Sequence, residues 1–369
     1  IYSYPPPLAI TIVDFWLEKG LDGFRVDAVP YIFEREGTNC ENLPETHAFC
    51  KRLRKFVQEK YPEAILLAEA NQLPKDVVDY FGEGDEFHMA FNFPLMPMIF
   101  MAIRKENKWP IINVINKLPK IPEHCQWGIF LRNHDELTLE MVTEKEREYM
   151  YNTYAQDPRM RINVGIRRRL FPLMNRNRPA IEVCHSLIFT MPGSPILYYG
   201  DEIGMGDNIY LGDRSGVRTP MQWNGDRNAG FSDANPDQLY YPLIRSPEYN
   251  YQGTNVEAQQ KSISSFLNWI KFAIKVRNRS KALGRGDIRF LYVDNKKVLA
   301  YLRHYEDEVI LIVNNISKVS QFAQMYLQEY NGMTPIDMFG GTKFPKIGEW
   351  PYLVTLSPYG YHWFKLEWE

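Results

Sequence analysis

The sequence predicts an α/β chain, with a parallel sheet of βαβ units over residues 1–283 and a small antiparallel β domain over residues 284–369. Two observations carry the prediction. Apolar segments of strand length at 23–29, 65–70, 87–93, 127–131 and 196–199 alternate with longer helical patterns, which is the spacing of βαβ units. After Gly284 the pattern turns strand-like at 298–304, 309–313 and 360–366, with polar turns such as Glu306-Asp307 between. At 369 residues and 45% hydrophobic composition, a large core with one appended domain is the natural solution, because single cores stop growing beyond ~250 to 300 residues.

Taken in order, the chain opens Ile1-Tyr-Ser-Tyr-Pro-Pro-Pro rather than with Met, and a helical pattern through Ile12, Phe15 and Trp16 ends at Gly20. This opening is expected of a fragment whose upstream part is missing. The strand at 23–29 reads as buried, yet it places Arg25 and Asp27 two residues apart and therefore on one side. A helix over 45–60 leads to the strand at 65–70, whose apolar run meets a lone Glu69. The apolar stretch 95–103 is far below the ~18 residues that span a bilayer, so no membrane segment is expected. The strand at 127–131 runs into Arg132-Asn133-His134-Asp135-Glu136, and a helix over 181–191 precedes the strand at 196–199. Between Asp201 and Glu257 the texture changes to Gly, Asn, Asp, Pro and Tyr without periodicity, which reads as a functional rim. Ile263, Phe266, Leu267, Ile270 and Ile274 then give one more helix.

Acidic and basic residues nearly cancel, 45 against 43, and no run of like charge marks a nucleic-acid tail, so nucleic acid is excluded as a partner. Cys40, Cys50, Cys125 and Cys184 form no CxxC pair. Reduced thiols in a cytoplasmic protein are the reading that follows. Oligomeric state, a homo-oligomer included, stays open.

Three strands of one parallel array each end in a carboxylate, Asp27, Glu69 and Asp135, and the C-terminal face of such an array is where barrel enzymes build active sites. Glycosidic chemistry wants such groups. One carboxylate attacks the anomeric carbon, a second carboxyl protonates the departing oxygen, and the oxocarbenium-like transition state gains from further negative charge. Arg25 would help hold Asp27 ionised. His134 and Asp135 would grip sugar hydroxyls.

Gly-Phe-Arg-Val-Asp-Ala (23–28), Ala-Glu-Ala (68–70) and Asn-His-Asp (133–135), followed by Tyr-Tyr-Gly-Asp-Glu-Ile-Gly-Met (198–205), resemble the α-amylase family of glycoside hydrolases and transglycosidases. The resemblance implies a partial (β/α)8 TIM barrel, strands four to eight, followed by a small antiparallel β-sandwich domain. It also implies Asp27 as nucleophile, Glu69 as acid and base, and Asp135 as transition-state stabiliser, with Arg25 and His134 on the reacting glucose. The stretches 31–47, 131–142, 163–169 and 218–223 resemble the maltose–trehalose isomerases of that family. That implies maltose and trehalose as substrates, no redox or nucleotide cofactor, and Arg218 near the second sugar. A calcium ion is implied too, held by the backbone oxygens of Tyr31 and Ile32 and the side chain of Glu34. Three donors would not fill its shell. With three strands absent, the sheet should present an open edge. An α-glucosidase of the same family, or a noncatalytic truncated sugar-binding scaffold, are the alternatives.

Overall fold

The computed structural model describes residues 6–368; the opening Ile1–Pro5, on which the fragment expectation rests, lies outside them. The chain divides into two compact units, residues 1–94 with 115–129, and residues 95–114 with 130–369.

The first unit is a parallel sheet of β1 (Gly23–Val26), β2 (Ile65–Ala68), β3 (Met89–Phe91) and β4 (Gln126–Phe130), in that order. Helices α1 (Pro6–Glu18) and α2 (Pro44–Lys60) flank it in sequence. In α2 the buried Thr46, Cys50, Leu53 and Val57 recur at three- and four-residue spacing, so one face joins the core that Leu66, Ala68, Phe87 and Trp127 build from the strands. Helix α1 does the same with Val13 and Leu17. Ile12, Phe15 and Trp16, whose spacing predicts this helix, lie instead on its exposed side. The period was legible, but the inward face was not.

Among the described residues the strand order ends at β1. One expectation is corrected here. The strand carrying Arg25 and Asp27 is not buried: β1 is only partly covered, and Asp27 lies just past its end with a 75% exposed side chain. An edge strand flanked on one side cannot enclose its residues as a central strand does.

In the second unit, helix α3 (Leu95–Lys105) realises the long apolar stretch, with residues 95–97 and 99–103 all buried. Strands β5 (Leu137–Thr138), β6 (Arg161–Ile162) and β7 (Gly165–Ile166) make a small sheet in the order β5–β7–β6. Helix α4 (Glu144–Tyr154) begins with a capping box between Thr143 and Glu146. Helix α5 (Arg178–Thr190), capped by the Asn177 side chain, leads to β8 (Ser194–Ile196). Residues 201–257 form loops with short 3-10 turns, as their Gly- and Asn-rich texture predicts. Helix α6 (Phe266–Arg277) follows.

The C-terminal strands are β9 (Asp287–Phe290), β10 (Val298–Tyr305), β11 (Glu308–Asn315), β12 (Gln321–Met325), β13 (Met333–Asp337), β14 (Tyr352–Leu356) and β15 (Tyr361–Trp368). They form an antiparallel sheet in the order β13–β15–β11–β10–β9 and a second pair, β12–β14. Strand β14 alternates: Tyr352, Val354 and Leu356 point inward while Leu353 and Thr355 face out. Strands β10 and β11 do not alternate, because both of their faces are covered. Leu302, Val313 and Phe364 pack into the β domain's own core, whereas Tyr301, Asn314 and Trp363 turn towards α5. There Ser186 Oγ donates to Asn314 Oδ1 at 2.7 Å and accepts from Trp363 Nε1 at 2.8 Å. The buried Arg303 guanidinium donates to the carbonyls of Thr190 and Gly286.

Candidate active site

The first unit assembles Arg25, Asp27 and Glu69 from two adjacent parallel strands. Gly23 opens β1 because its backbone lies against the Ile65 backbone so closely that any Cβ would collide with the Ile65 carbonyl. Beyond β1 the ladder continues for two more bonds: Glu69 N–H donates to the Val26 carbonyl at 3.0 Å, and Val29 N–H donates to the Glu69 carbonyl at 3.1 Å. Between them the chain turns at Ala28, held at φ 47° and ψ 42°, a left-handed conformation that costs an alanine about 1 kcal/mol or more. That turn stands Asp27 beside Glu69. The Arg25 guanidinium then bridges the two side chains, donating to Asp27 Oδ1 at 3.1 Å and touching Glu69 Oε2. Glu69 is 13% exposed and Asp27 75%, so one carboxyl is sheltered and the other is open to a partner molecule.

Immediately after the turn, Tyr31 and Ile32 sit on and just past a 3-10 turn, and Glu34 is exposed two residues on. Their donor chemistry suits calcium: oxygens on one short segment, with a carboxylate among them. They supply half or fewer of the six to eight oxygens calcium takes. Among the described residues no group of three or more His, Cys, Asp and Glu side chains could hold a metal ion.

The second unit holds His134, Asp135 and Arg218. Asp135 follows β4 in the segment that the sequence marks as polar, and its backbone N–H is capped by Asn133 Oδ1 at 3.0 Å. Its carboxylate receives Arg218 at 2.7 Å, Arg214 at 3.1 Å and His134 Nε2 at 3.2 Å. Arg218 also donates to the His134 carbonyl at 2.8 Å, and Arg214 to Glu136 at 2.7 Å. Burial would push the Glu136 carboxyl up, but its hydrogen bonds from Arg214 and Asn163 hold it below the usual range.

Sequence reading missed Arg214, Glu136 and the bracing beneath them. The signal lay in the arginine run at 167–169. Arg167 donates to the carbonyls of Leu211 (2.6 Å), Asp213 (2.5 Å) and Ile209 (3.2 Å), pinning the loop that delivers Arg214. Arg168 pairs with Asp207 at 2.8 Å. Arg169, fully buried, lies against both the Tyr198 and Tyr199 rings, 4.7 and 4.6 Å from their centroids, and donates to the Tyr199 carbonyl. Those tyrosines' hydroxyls donate to the Val217 and Thr219 carbonyls, either side of Arg218. Buried Arg132 completes the frame by donating to the Asp135 and Arg168 carbonyls. Burial pushes the Asp201 carboxyl, paired with Arg169, up to about 7, with Arg169 and Arg132 pulling the other way.

Beside Arg218 lies a cavity of about 420 Å³ whose walls include Tyr199, Trp223, Phe231 and Tyr240. Exposed rings around a charged fork can stack on sugar faces while the fork binds hydroxyls.

The family described as alpha amylase, catalytic domain, matches residues 8–162 and 167–286. The family described as maltogenic amylase, C-terminal domain, matches residues 288–363. Over 364 residues the chain is 57% identical to trehalose synthase/amylase TreS of Mycobacterium tuberculosis, covering 97% of this chain and 61% of that protein. It is 55% identical to trehalose synthase of Pimelobacter over 95% of this chain and 64% of the relative, and 51% identical to trehalose synthase of Thermus thermophilus over 96% and 37%. The chain thus spans about 61% of the length of the first of these relatives. Among solved structures, the α-amylase of H. orenii superposes with a TM-score of 0.74 at 20% identity, over 100% of this chain and 66% of that one. The α-glucosyl transfer enzyme XgtA gives 0.70 at 21%, over 98% and 67%.

Proposed function

Since this chain belongs to the α-amylase family, we propose that its carboxylates serve an intramolecular α-glucosyl transfer that interconverts maltose and trehalose. The observation that carries the reaction class is the pairing of Asp27 with Glu69 on adjacent strand ends under one guanidinium. The substrate rests on the trehalose synthases that the chain matches at 51% to 57% identity.

Asp27, the exposed carboxylate, attacks the anomeric carbon of the nonreducing glucose. As the bond to the linking oxygen breaks, Glu69 gives that oxygen its proton, and glucose is released within the pocket. The glucose then offers its anomeric hydroxyl to the glucosyl–Asp27 ester. Glu69 takes the hydroxyl proton, the new glycosidic bond forms and Asp27 leaves as carboxylate. By the family's pattern Asp135 would be the transition-state stabiliser, Arg25 and His134 would contact the reacting glucose, and Arg218 would lie near the second sugar. Tyr31, Ile32 and Glu34 would contribute oxygens to a calcium ion whose role is to stiffen the loop after β1. Among the described residues Cys40, Cys50, Cys125 and Cys184 form no disulfide, which fits a cytoplasmic location.

Incubating the full-length protein with maltose should yield trehalose with little free glucose. Mostly glucose would replace isomerisation by hydrolysis, and no turnover of either kind by the full-length protein would favour a noncatalytic scaffold. In a substrate complex the two carboxyl groups should stand roughly 5 to 5.5 Å apart, the spacing of retaining enzymes. Residues 1–369 alone should show no measurable turnover; robust isomerisation by that chain would refute this part of the reading.

A further inference from the structure

A cavity of about 680 Å³ in the second unit shares none of its lining with the groups around Asp135. It opens where the last turn of α3, the end of α4 and the turn at 173–177 meet the β domain. Its charges are unbalanced. Arg104, Lys105 and Lys318 line it against a single carboxylate, Glu106. That carboxylate is already answered: Oε2 takes the Lys297 ammonium at 2.7 Å and Oε1 takes the Lys318 backbone N–H at 3.3 Å. The Lys105 ammonium lies over the Tyr149 ring at 4.7 Å. Among the described residues, neither the Arg104 guanidinium nor the Lys318 ammonium has a hydrogen-bond or ion-pair partner.

Two unanswered cations on opposite elements, one from α3 and one from the β domain, make a pair of jaws for a compact anion. A guanidinium fork binds phosphate oxygens two at a time, and an ammonium adds a point charge. The volume exceeds what a bare phosphate needs and falls in the ordinary range for small-molecule sites, about 300 to 1,000 Å³. The Asn175 amide and the Tyr359 hydroxyl are suited to hydroxyl groups, and the Tyr359 ring to a pyranose face. We propose that this cavity is a second, noncatalytic site for a phosphorylated monosaccharide. The inference is independent of the reading of Asp27 and Glu69, because it uses none of their neighbours.

Calorimetric titration of the purified full-length protein with glucose 6-phosphate, inorganic phosphate and glucose tests it. Glucose 6-phosphate should bind at one site per chain that the Arg104→Ala, Lys318→Ala double variant abolishes, at least tenfold tighter than inorganic phosphate, and glucose should give no signal that the double variant removes. Arg104→Ala and Lys318→Ala should each weaken binding at least tenfold, whereas Arg104→Lys should stay within a few fold. Both side chains are exposed, so unchanged thermal melting separates lost binding from lost folding. No binding of glucose 6-phosphate at millimolar concentration, or binding that survives the double alanine variant, overturns the site. Inorganic phosphate or glucose binding at that site as tightly as glucose 6-phosphate overturns the phosphosugar assignment.

Discussion

Asp27 and Glu69 face the same guanidinium from different surroundings, one open and one sheltered. If Glu69 moves the proton, Glu69→Gln in the full-length protein should lower kcat by roughly 10² to 10⁴. α-Glucosyl fluoride, whose fluoride leaves from the attacked anomeric carbon without protonation, should then recover much of the first step; an equal loss with maltose and with the fluoride would sink the assignment. A second prediction concerns the buried frame. Arg169→Met removes a charge that Asp201 and two tyrosine rings surround, and should destabilise the protein by about 3 to 5 kcal/mol in denaturant titration. At this scale the three motif carboxylates were legible because charge at the end of an apolar strand is conspicuous. Arg214 was not, since it reaches Asp135 from 79 positions further along the chain through a loop whose course Arg167 decides.

Among the elements, α5 carries an unusual interior. His185 is buried within it, with Nδ1 2.9 Å from the Ile181 carbonyl, and burial holds its imidazole down to about 4. The unfolded chain would bind a proton near 6.5. Between those values the unfolded state holds a proton that the fold refuses, so the stabilisation is complete above about pH 6.5 and is lost as pH falls towards 4, by about 3 kcal/mol. Thermal melting should show the gap between the wild-type protein and His185→Gln narrowing over that interval; a constant gap would contradict it. Helix periods and the long C-terminal strands were readable because they satisfy one geometric rule over many residues. Strands β5 to β7, two residues each, carry no period at all. The orientation of α1 was hidden for another reason: Ile12, Phe15 and Trp16 are apolar enough to face a core, and only packing shows that Val13 and Leu17 do so instead.

For the whole molecule, the sequence divides near residue 284 where helical texture gives way to strands, and the two family matches change over between residues 286 and 288. The fold is less divisible at that point. Trp363, with no exposed surface, donates to Ser186 on α5, and Thr190 meets Tyr301 at 2.5 Å. Trp363→Phe, which keeps most of the packing and deletes the donor, should cost about 1 to 3 kcal/mol in chemical denaturation. Trp363→Ala should cost about 3 to 5. A chain cut after Gly286 would therefore strip α5 of the partners that its buried hydroxyls and carbonyls require, leaving a helix with polar sockets facing water on one side. The β domain is less a detachable accessory than the last course of masonry: laid after the sheet, yet carrying the wall it leans on.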